Sequence, residues 1–242
     1  MQYFARSDIG KVRAINEDSV LALTREGYHL FIVCDGLGGH LSGEVASSLA
    51  IQTIADFIDT HYGEGEFADC KRLIEESLQA ANRKIYHESL SDQQLSNMGT
   101  TAEVSLVVDE DLYIGHVGDS RVYLHREGAL TQLTIDHSLI NDLIASGSVT
   151  PEDAKNMGQR NIITRALGVE SGLLVDLHTM TLKSGDILMM CSDGLTNGVE
   201  DDKIHEVLEL PIEPEEKVDM LIYMANASGG YDNSTIILAE MR

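Results

Sequence analysis

The sequence has few cysteines and prolines and no tryptophan, and each shortage argues against a class of protein. Three cysteines in 242 residues are too few for a disulfide framework, so we expect a reducing, cytoplasmic environment. The three prolines are scattered and no Gly/Ser-rich linker occurs, so we predict a single domain over residues 1–242. Because aromatic residues make up only 5% of the chain, no large aromatic docking patch is indicated and we expect a monomer.

Long apolar runs are also missing. No window approaches the roughly 18 consecutive apolar residues that a membrane span needs. The first ten residues lack a basic segment followed by an apolar one, which is the pattern of a secretory signal. We therefore expect a soluble protein that is not exported and has no membrane partner.

Positive charge is scarce, because 17 Lys and Arg stand against 40 Asp and Glu and give a formal net charge of −23. This imbalance argues against a nucleic-acid partner, whose phosphates would be repelled. A solvated acidic surface accounts for most of the excess. Carboxylates that converge on divalent cations would nevertheless reverse the local field, so a phosphate-handling enzyme stays compatible with the composition.

The hydrophobic pattern predicts groups of strands and separate groups of helices. Residues 28–33 are typical of a buried strand that enters a glycine loop, and helices are predicted at about 42–61 and 73–85. Alternating β-branched segments predict strands at 102–108, 112–117 and 121–125, whose tight connections favour an antiparallel meander. Further short helices, strands and one longer helix are predicted at 138–146, 151–157, 173–180, 187–191, 213–227 and 234–239. This order favours sheets covered by helices.

Five aspartates at predicted turns form the candidate site: Asp18, Asp35, Asp119, Asp193 and Asp232. Any one of them alone is more typical of an ordinary turn, where aspartate caps backbone donors. Three adjoin a glycine at the end of a predicted strand, where a rigid sheet can direct short carboxylates toward one point. Carboxylates without a matching His/Cys set favour Mg²⁺ or Mn²⁺ over Zn²⁺.

Motifs of other chemistries are absent from the sequence. There is no P-loop, no Gly-x-Ser-x-Gly elbow and no dinucleotide fingerprint, which argues against P-loop, serine-hydrolase and nucleotide-dependent enzymes. The acidic run at 109–111 lacks the glycine and terminal glutamate of an EF-hand and is better interpreted as a hairpin turn. Cys34 and Cys191 end apolar strands without a basic neighbour, so we expect inert buried thiols.

Seven short motifs occur in the order seen in the metal-dependent protein phosphatases of the protein phosphatase 2C type, and the chain is closest in pattern to their bacterial Ser/Thr branch. The resemblance covers almost the whole sequence. Its motifs are Ser7-Asp8-x-Gly10-x-x-Arg13-x-x-Asn16-Glu17-Asp18, Asp35-Gly36-x-Gly38-Gly39-His40 with Gly43-Glu44, Gly99-Thr100-Thr101, Gly118-Asp119-Ser120-Arg121, Asp136-His137-Ser138, Cys191-Ser192-Asp193-Gly194-Leu195 and Asp232-Asn233.

The resemblance implies an α+β fold, a four-layer αββα sandwich in which two central antiparallel sheets are flanked by antiparallel helix pairs. It also implies hydrolysis of phosphoserine and phosphothreonine in proteins by a hydroxide bridging two Mg²⁺ or Mn²⁺ ions, with a third ion in bacterial members. The expected partners are phosphorylated proteins and a cognate bacterial Ser/Thr kinase that the enzyme opposes.

The resemblance further implies a role for each site residue. Asp35 bridges the two ions and the carbonyl of Gly36 contributes to one of them. Asp193 and Asp232 hold the other, Asp18 with Glu17 acts directly or through water, and Asp119 matches the position that binds a third ion. Arg13 is the expected phosphate clamp, because its planar fork matches two phosphate oxygens. His40 is a candidate general acid, but it could instead bond a carboxylate or hold the glycine turn.

The segment at about 138–168 resembles the flap of bacterial members. Many of those carry a proline where this chain has Gly158, after Met157, so we expect a more mobile flap with altered substrate choice. Three alternatives to a general phosphatase remain. They are a switch phosphatase for one partner such as an anti-sigma-factor antagonist, a silent relative that binds phosphoproteins, and an acidic cation-buffering protein.

Overall fold

The structure, a computed structural model, describes residues 1–38, 42–154 and 162–241, apart from the side chains of Glu66 and Pro151. The strands in these ranges are β1 Gln2–Asp8, β2 Asp18–Arg25, β3 Tyr28–Leu37, β4 Gly99–Thr100, β5 Ala102–Val108, β6 Asp111–Val117, β7 Arg121–Arg126, β8 Ala129–Gln132, β9 Asp176–Thr181, β10 Ile187–Cys191 and β11 Ser234–Glu240. The α-helices are α1 Ser42–His61, α2 Cys70–Ser91, α3 Leu139–Ala145, α4 Pro151–Ala154, α5 Asp193–Thr196, α6 Asp201–Leu208 and α7 Pro214–Ala227.

The strands form two sheets in which every pairing is antiparallel. One sheet has the strand order β1-β11-β10-β7-β8, and the other has the order β2-β3-β5-β6-β9 with the short β4 paired to β3. The first and last strands of the chain are neighbours, since β1 pairs with β11. Residues near both chain ends therefore reach the same edge of the fold, which matters for the site described below.

Side chains on β3 show how the layers are stacked. Leu30 and Ile32 pack with helices α1 and α2 in one core, whereas Phe31 and Val33 pack between the two sheets in another. This alternation follows from the period of two along a strand. A third core lies beneath α6 and α7, where Met189 of β10 packs among apolar residues of both helices. The predicted four-layer αββα arrangement is confirmed.

Two predictions about local structure are wrong. The strands at 112–117 and 121–125 do not continue a meander, because β6 belongs to one sheet and β7 to the other. Residues 118–120 are therefore a crossover between the sheets. The predicted start of the glycine loop, directly after Val33, is also wrong. Strand β3 continues through Asp35 to Leu37, and its last two residues pair with β4.

Other element predictions differ mainly in extent. The strand predicted at 173–180 is confirmed only from Asp176 onward, and the helix predicted at 151–157 is described only as far as Ala154. Strands β1, β2, β4 and β8 and helices α5 and α6 were not predicted.

Among the helices described, none has the length and apolar character required to cross a lipid bilayer.

Candidate metal centre

Most of the predicted site residues line one cleft of about 400 Å³. It is lined by Arg13, Glu17, Asp35, Gly36, Leu37, Gly38, Asp119, Ile163, Asp193, Asp232 and Asn233. Four of the five candidate aspartates thus share one cleft. The fifth, Asp18, is buried beside it, and its backbone is opposite Asp35 in the pairing of β2 with β3.

Asp18 connects the two sheets at the site. It begins β2, and its Oδ2 accepts hydrogen bonds from Ser192 Oγ at 2.7 Å and Thr235 Oγ1 at 2.6 Å, both from the other sheet's side. Its second oxygen, Oδ1, is buried and has no hydrogen-bond partner in the described parts of the chain. Burial raises the pKa of Asp18 to about 7, although the two hydroxyl hydrogen bonds act in the opposite direction. The unpartnered oxygen is the kind of group that a cation would satisfy.

Asp35 and Asp193 lie at the centre of the cleft. Burial raises the pKa of Asp35 well above its usual range, and the charges of Asp18 and Asp193 raise it further. Burial also raises the pKa of Asp193, with an added contribution from Asp232, while a 2.9 Å hydrogen bond from Asn197 Nδ2 opposes the shift. Carboxylates so close together repel one another when ionised, so positive charge is required to keep all of them deprotonated near neutral pH.

Asp119 lies on the crossover between β6 and β7, which is fixed by the segment that follows β8. Gly118 N donates to His137 Nδ1 at 3.0 Å, and His137 N donates to Gly118 O at 2.7 Å. Arg121 binds Asp136 through Nε at 2.9 Å and Nη2 at 2.7 Å. Asp119 itself keeps a buried Oδ1 to which no described residue donates a hydrogen bond, and burial followed by the charge of Asp193 raises its pKa to about 7.

Arg13 and Glu17 come from the loop between β1 and β2. Arg13 Nη2 donates to Asp232 Oδ2 at 2.7 Å, and Nη1 lies 3.4 Å from Glu17 Oε2. Burial of the guanidinium acts to lower the pKa of Arg13, but the hydrogen bond and charge of Asp232 outweigh it and the pKa is raised. The arginine therefore stays charged at the wall of the cleft.

Asn233 is a site residue whose role the sequence did not reveal. Its Oδ1 accepts from Glu17 N at 2.8 Å, and its Nδ2 donates to the carbonyls of Ile9 at 2.9 Å and Ile15 at 3.1 Å. One side chain thus folds the loop that carries Arg13 onto the residue next to Asp232. Ser192 is a second such residue. It belongs to one of the sequence motifs, but its contact with Asp18 could not be inferred from the spacing of the residues.

Gly36 allows an unusually close approach of three backbone segments. A Cβ at this position would lie 2.2 Å from the carbonyl oxygen of Gly43 and 2.6 Å from that of Glu17. Gly36 N donates to Glu17 O at 3.2 Å. Any side chain at this position would push the end of β3 away from the start of α1. Glycine therefore permits the close packing that leaves the Gly36 backbone lining the cleft.

The donor atoms of the cleft suit divalent cations. The donors are carboxylate oxygens, and three buried ones, Glu17 Oε1, Asp18 Oδ1 and Asp119 Oδ1, have no partner among the described residues. Burial, and then repulsion between the carboxylates, raises several of the pKa values. Oxygen donors without sulfur or imidazole suit Mg²⁺ and Mn²⁺.

Comparison with known proteins decides the family. The family model described as "Protein phosphatase 2C" matches residues 11–234. The chain belongs to the protein phosphatase 2C family. It is therefore a metal-dependent serine/threonine protein phosphatase, as the motif resemblance implied.

Curated relatives and solved structures agree with this assignment. The chain is 37% identical over 236 residues to "Serine/threonine phosphatase stp" of Listeria monocytogenes, covering 97% of this chain and 94% of the relative. It is 36% identical over 243 residues to "Protein phosphatase PhpP" of Streptococcus pneumoniae, covering 100% and 98%.

Among solved structures, the Mycobacterium tuberculosis phosphatase PstP/Ppp superposes with a TM-score of 0.91 at 39% identity, covering 100% of this chain and 98% of that one. The catalytic domain of PstP in complex with two manganese ions superposes with a TM-score of 0.84 at 38% identity, covering 99% and 97%. The two-ion occupancy is a property of that relative.

Some sequence predictions fall outside the described residues of this phosphatase. His40, the candidate general acid, lies among residues 39–41, and Met157-Gly158 of the flap lies among residues 155–161. The described parts of the flap are residues 138–154, with α3 after the N-cap Ser138 and the short α4, and residues 162–168. Cys34 and Cys191 are buried and burial raises the pKa of both thiols, as expected for inert side chains.

Proposed function

We propose that this phosphatase hydrolyses phosphoserine and phosphothreonine at the cleft around Asp35, with two Mg²⁺ or Mn²⁺ ions held by its carboxylates. The observation that carries the proposal is the convergence of Asp35, Asp119, Asp193 and Asp232 from four separate parts of the chain on one cleft. A cluster of this kind is costly for folding unless it binds cations, because burial and then the charges of the neighbouring carboxylates raise the pKa values of its members.

Each site residue has a distinct task in this account. Asp35 would contribute to both ions and the carbonyl of Gly36 to one of them, and Asp193 and Asp232 would hold the other. Asp18 and Glu17 act directly or through water, and Ser192 and Thr235 fix the orientation of Asp18. When bound, the ions lower the pKa of coordinated water and offset the charge of the phosphate.

Arg13 is assigned to phosphate binding. Its guanidinium is charged, lines the cleft and has its side chain 44% exposed, so a phosphate group can reach it. The planar fork can donate to two phosphate oxygens at once, which fixes the phosphorus relative to the carboxylates. His40 is proposed as proton donor to the leaving alkoxide. Mutagenesis would distinguish this role from a hydrogen bond to a carboxylate or support of the glycine turn.

Asp119 is proposed as a ligand of a third ion. Its buried Oδ1 lacks a hydrogen-bond partner among the described residues, and the backbone of the preceding Gly118 is hydrogen-bonded to His137. We expect Asp119→Ala to keep two tightly bound Mn²⁺ ions in a calorimetric titration and to lose a weaker third, with turnover reduced. Loss of all tight sites in this variant would contradict a separate third site.

The proposed setting is a single-domain, monomeric, cytoplasmic enzyme that opposes a cognate Ser/Thr kinase on phosphorylated protein substrates. The silent phosphoprotein-binding alternative is disfavoured because every carboxylate of the predicted ligand set is present. The cation-buffering alternative does not account for Arg13 in the cleft.

The test is simultaneous measurement of metal binding and phosphate release. Calorimetry with Mn²⁺ is expected to give two tight sites in wild type, and the same sample is expected to release phosphate from a phosphothreonine peptide. A folded wild type that binds Mn²⁺ and the peptide but releases no phosphate would establish the silent alternative.

A further inference from the structure

A second cluster of metal-ligating side chains lies away from the catalytic cleft. His125 on β7, His205 on α6 and Glu209 directly after α6 each offer one ligand atom, and these atoms all lie within 4.8 Å of one another. His125 follows Arg121 by four residues, which places it about 13 Å farther along the strand from the crossover that carries Asp119. None of the three residues lines the cleft.

Within the described residues, each of the two histidines has a ring nitrogen without a hydrogen-bond partner. His125 is 7% exposed, and its buried Nε2 makes no hydrogen bond, although Glu209 Oε1 lies 2.7 Å away. The approach of this carboxylate therefore has the right distance but not the geometry of a hydrogen bond. His205 Nδ1 is likewise buried and unpartnered, and the two rings lie 5.4 Å apart between centroids. Unsatisfied buried polar atoms are uncommon and require an explanation.

The spacing of the cluster fits a preformed site. His205 and Glu209 are four residues apart at the end of α6, so they project from the same face of the helix. His125 projects from the sheet beneath that helix. Two elements that are distant in sequence thus present three donors at one point, with Glu209 at the solvent side, where its side chain is 51% exposed. A cation could enter from that side without rearrangement of the core.

We propose that His125, His205 and Glu209 form a Zn²⁺ site that joins α6 to the five-stranded sheet. Two imidazoles and one carboxylate are a donor set typical of zinc, with a fourth position left for water. Mg²⁺ prefers oxygen ligands and retains its waters, so it fills the aspartate cleft and not this cluster. A simple His125–Glu209 ion pair would account for the carboxylate but not for the unpartnered nitrogen of His205.

The experiment uses the metal-stripped phosphatase in excess Mg²⁺, which keeps the aspartate cleft filled. Zn²⁺ is added and unbound metal is removed, and the bound zinc is then counted in wild type, His205→Gln, Glu209→Gln and His87→Gln. His87 is an exposed histidine on α2 and serves as the matched control. We expect wild type and His87→Gln to retain one more zinc per chain than His205→Gln and Glu209→Gln.

A thermal melt gives a second readout that does not depend on activity. Zn²⁺ is expected to raise the Tm of wild type and His87→Gln, and this rise should be lost in Glu209→Gln, whose exposed side chain can change without disturbing the core. Co²⁺ should give the visible absorption of a four-coordinate ion only where the site is intact. Equal zinc retention and equal Tm shifts in all four proteins would overturn the proposal.

Discussion

Arg13 donates a 2.7 Å hydrogen bond from Nη2 to Oδ2 of Asp232, so the proposed phosphate clamp is bound to a proposed metal ligand. The contact holds the guanidinium at the cleft wall, beside the other carboxylates. Asn233, next in the chain, holds the loop of Arg13 through the backbone of Glu17. Phosphate binding and metal binding thus share one small structural unit.

Replacing Arg13 tests the clamp. A hydrogen bond to a charged group contributes about 1.5–3 kcal/mol, so Arg13→Ala should lower kcat/KM roughly tenfold to hundredfold. Arg13→Lys should recover only part of the loss, because it restores charge but not the planar fork. Steady-state kinetics on a phosphothreonine peptide give the measurement. Arg83→Ala, at an exposed arginine on α2, is the control and should match wild type. If Arg13→Ala also matched wild type, Arg13 would have no part in phosphate binding.

Two glycines that differ in their surroundings test the packing at the site. An added Cβ at Gly36 would lie 2.2 Å from a carbonyl oxygen, whereas at Gly172 it meets nothing within 4 Å. We expect Gly36→Ala to lower the free energy of unfolding by at least about 1–3 kcal/mol and to weaken Mn²⁺ binding. Gly172→Ala should be neutral or more stable by about 0.4–1 kcal/mol. Urea unfolding and calorimetry check both variants, and equal behaviour of the two would refute the close approach at Gly36.

A buried ion pair behind the crossover should make stability depend on pH. His116 Nδ1 contacts the Glu103 carboxylate, and both side chains are fully buried. Burial acts to lower the pKa of His116, but the charge and hydrogen bond of Glu103 outweigh it and raise the pKa to about 9. Burial raises the pKa of Glu103 to about 7. His137, with its ring centroid 4.4 Å from that of His116, has a pKa lowered to about 4 by burial and then by the charge of His116.

The raised pKa of His116 fixes the sign of the effect. Its contribution to stability is complete below the unfolded pKa of about 6.5 and is lost as pH rises through the folded pKa of about 9. The raised pKa of Glu103 also makes stability fall with rising pH, between about 4.5 and 7. The lowered pKa of His137 acts in the opposite direction, because stability rises with pH between its folded pKa of about 4 and its unfolded pKa of about 6.5; above that range it adds no slope.

His116→Gln should therefore lose about 3–5 kcal/mol near neutral pH, because Glu103 is left buried without its positive partner. The decline of unfolding free energy between about pH 6.5 and 9 should become shallower in the double variant Glu103→Gln/His116→Gln, because His116→Gln alone would raise the pKa of Glu103 further and replace one slope by another. Denaturant unfolding at several pH values in excess Mg²⁺ measures this. Parallel pH profiles for wild type and the double variant would show that His116 does not titrate in the folded state.

Strong hydrophobic periodicity made some elements predictable from the sequence. The helix predicted at 42–61 and the strands predicted at 102–108 and 187–191 coincide with α1, β5 and β10. The apolar residues of α1 and β5 repeat with the period of a helix and of a strand, and β10 is a short unbroken apolar run. In contrast, β1 has residues of intermediate burial at every position and shows no alternation. The crossover at residues 118–120 was mistaken for a hairpin, since connection length alone does not reveal which sheet the next strand joins.

The site was predictable in composition but not in geometry. The aspartates stood out as a set because of their glycine neighbours and motif order. The hydrogen bonds that orient Asp18 come from residues 174 and 217 positions away, and no local pattern encodes such contacts. The same limit applies to His125 and His205, which the fold brings together from different elements.

Hydrolysis of a phosphothreonine peptide by wild type and Asp193→Ala, each with EDTA, Mg²⁺ or Mn²⁺, tests the central claim most directly. Asp202→Ala, at an exposed aspartate on α6, is the control for loss of a carboxylate elsewhere. The account predicts that wild type and Asp202→Ala turn over only with added metal, and that folded Asp193→Ala stays at the level of the EDTA samples. Metal-independent hydrolysis by wild type, or full activity of Asp193→Ala, would contradict it.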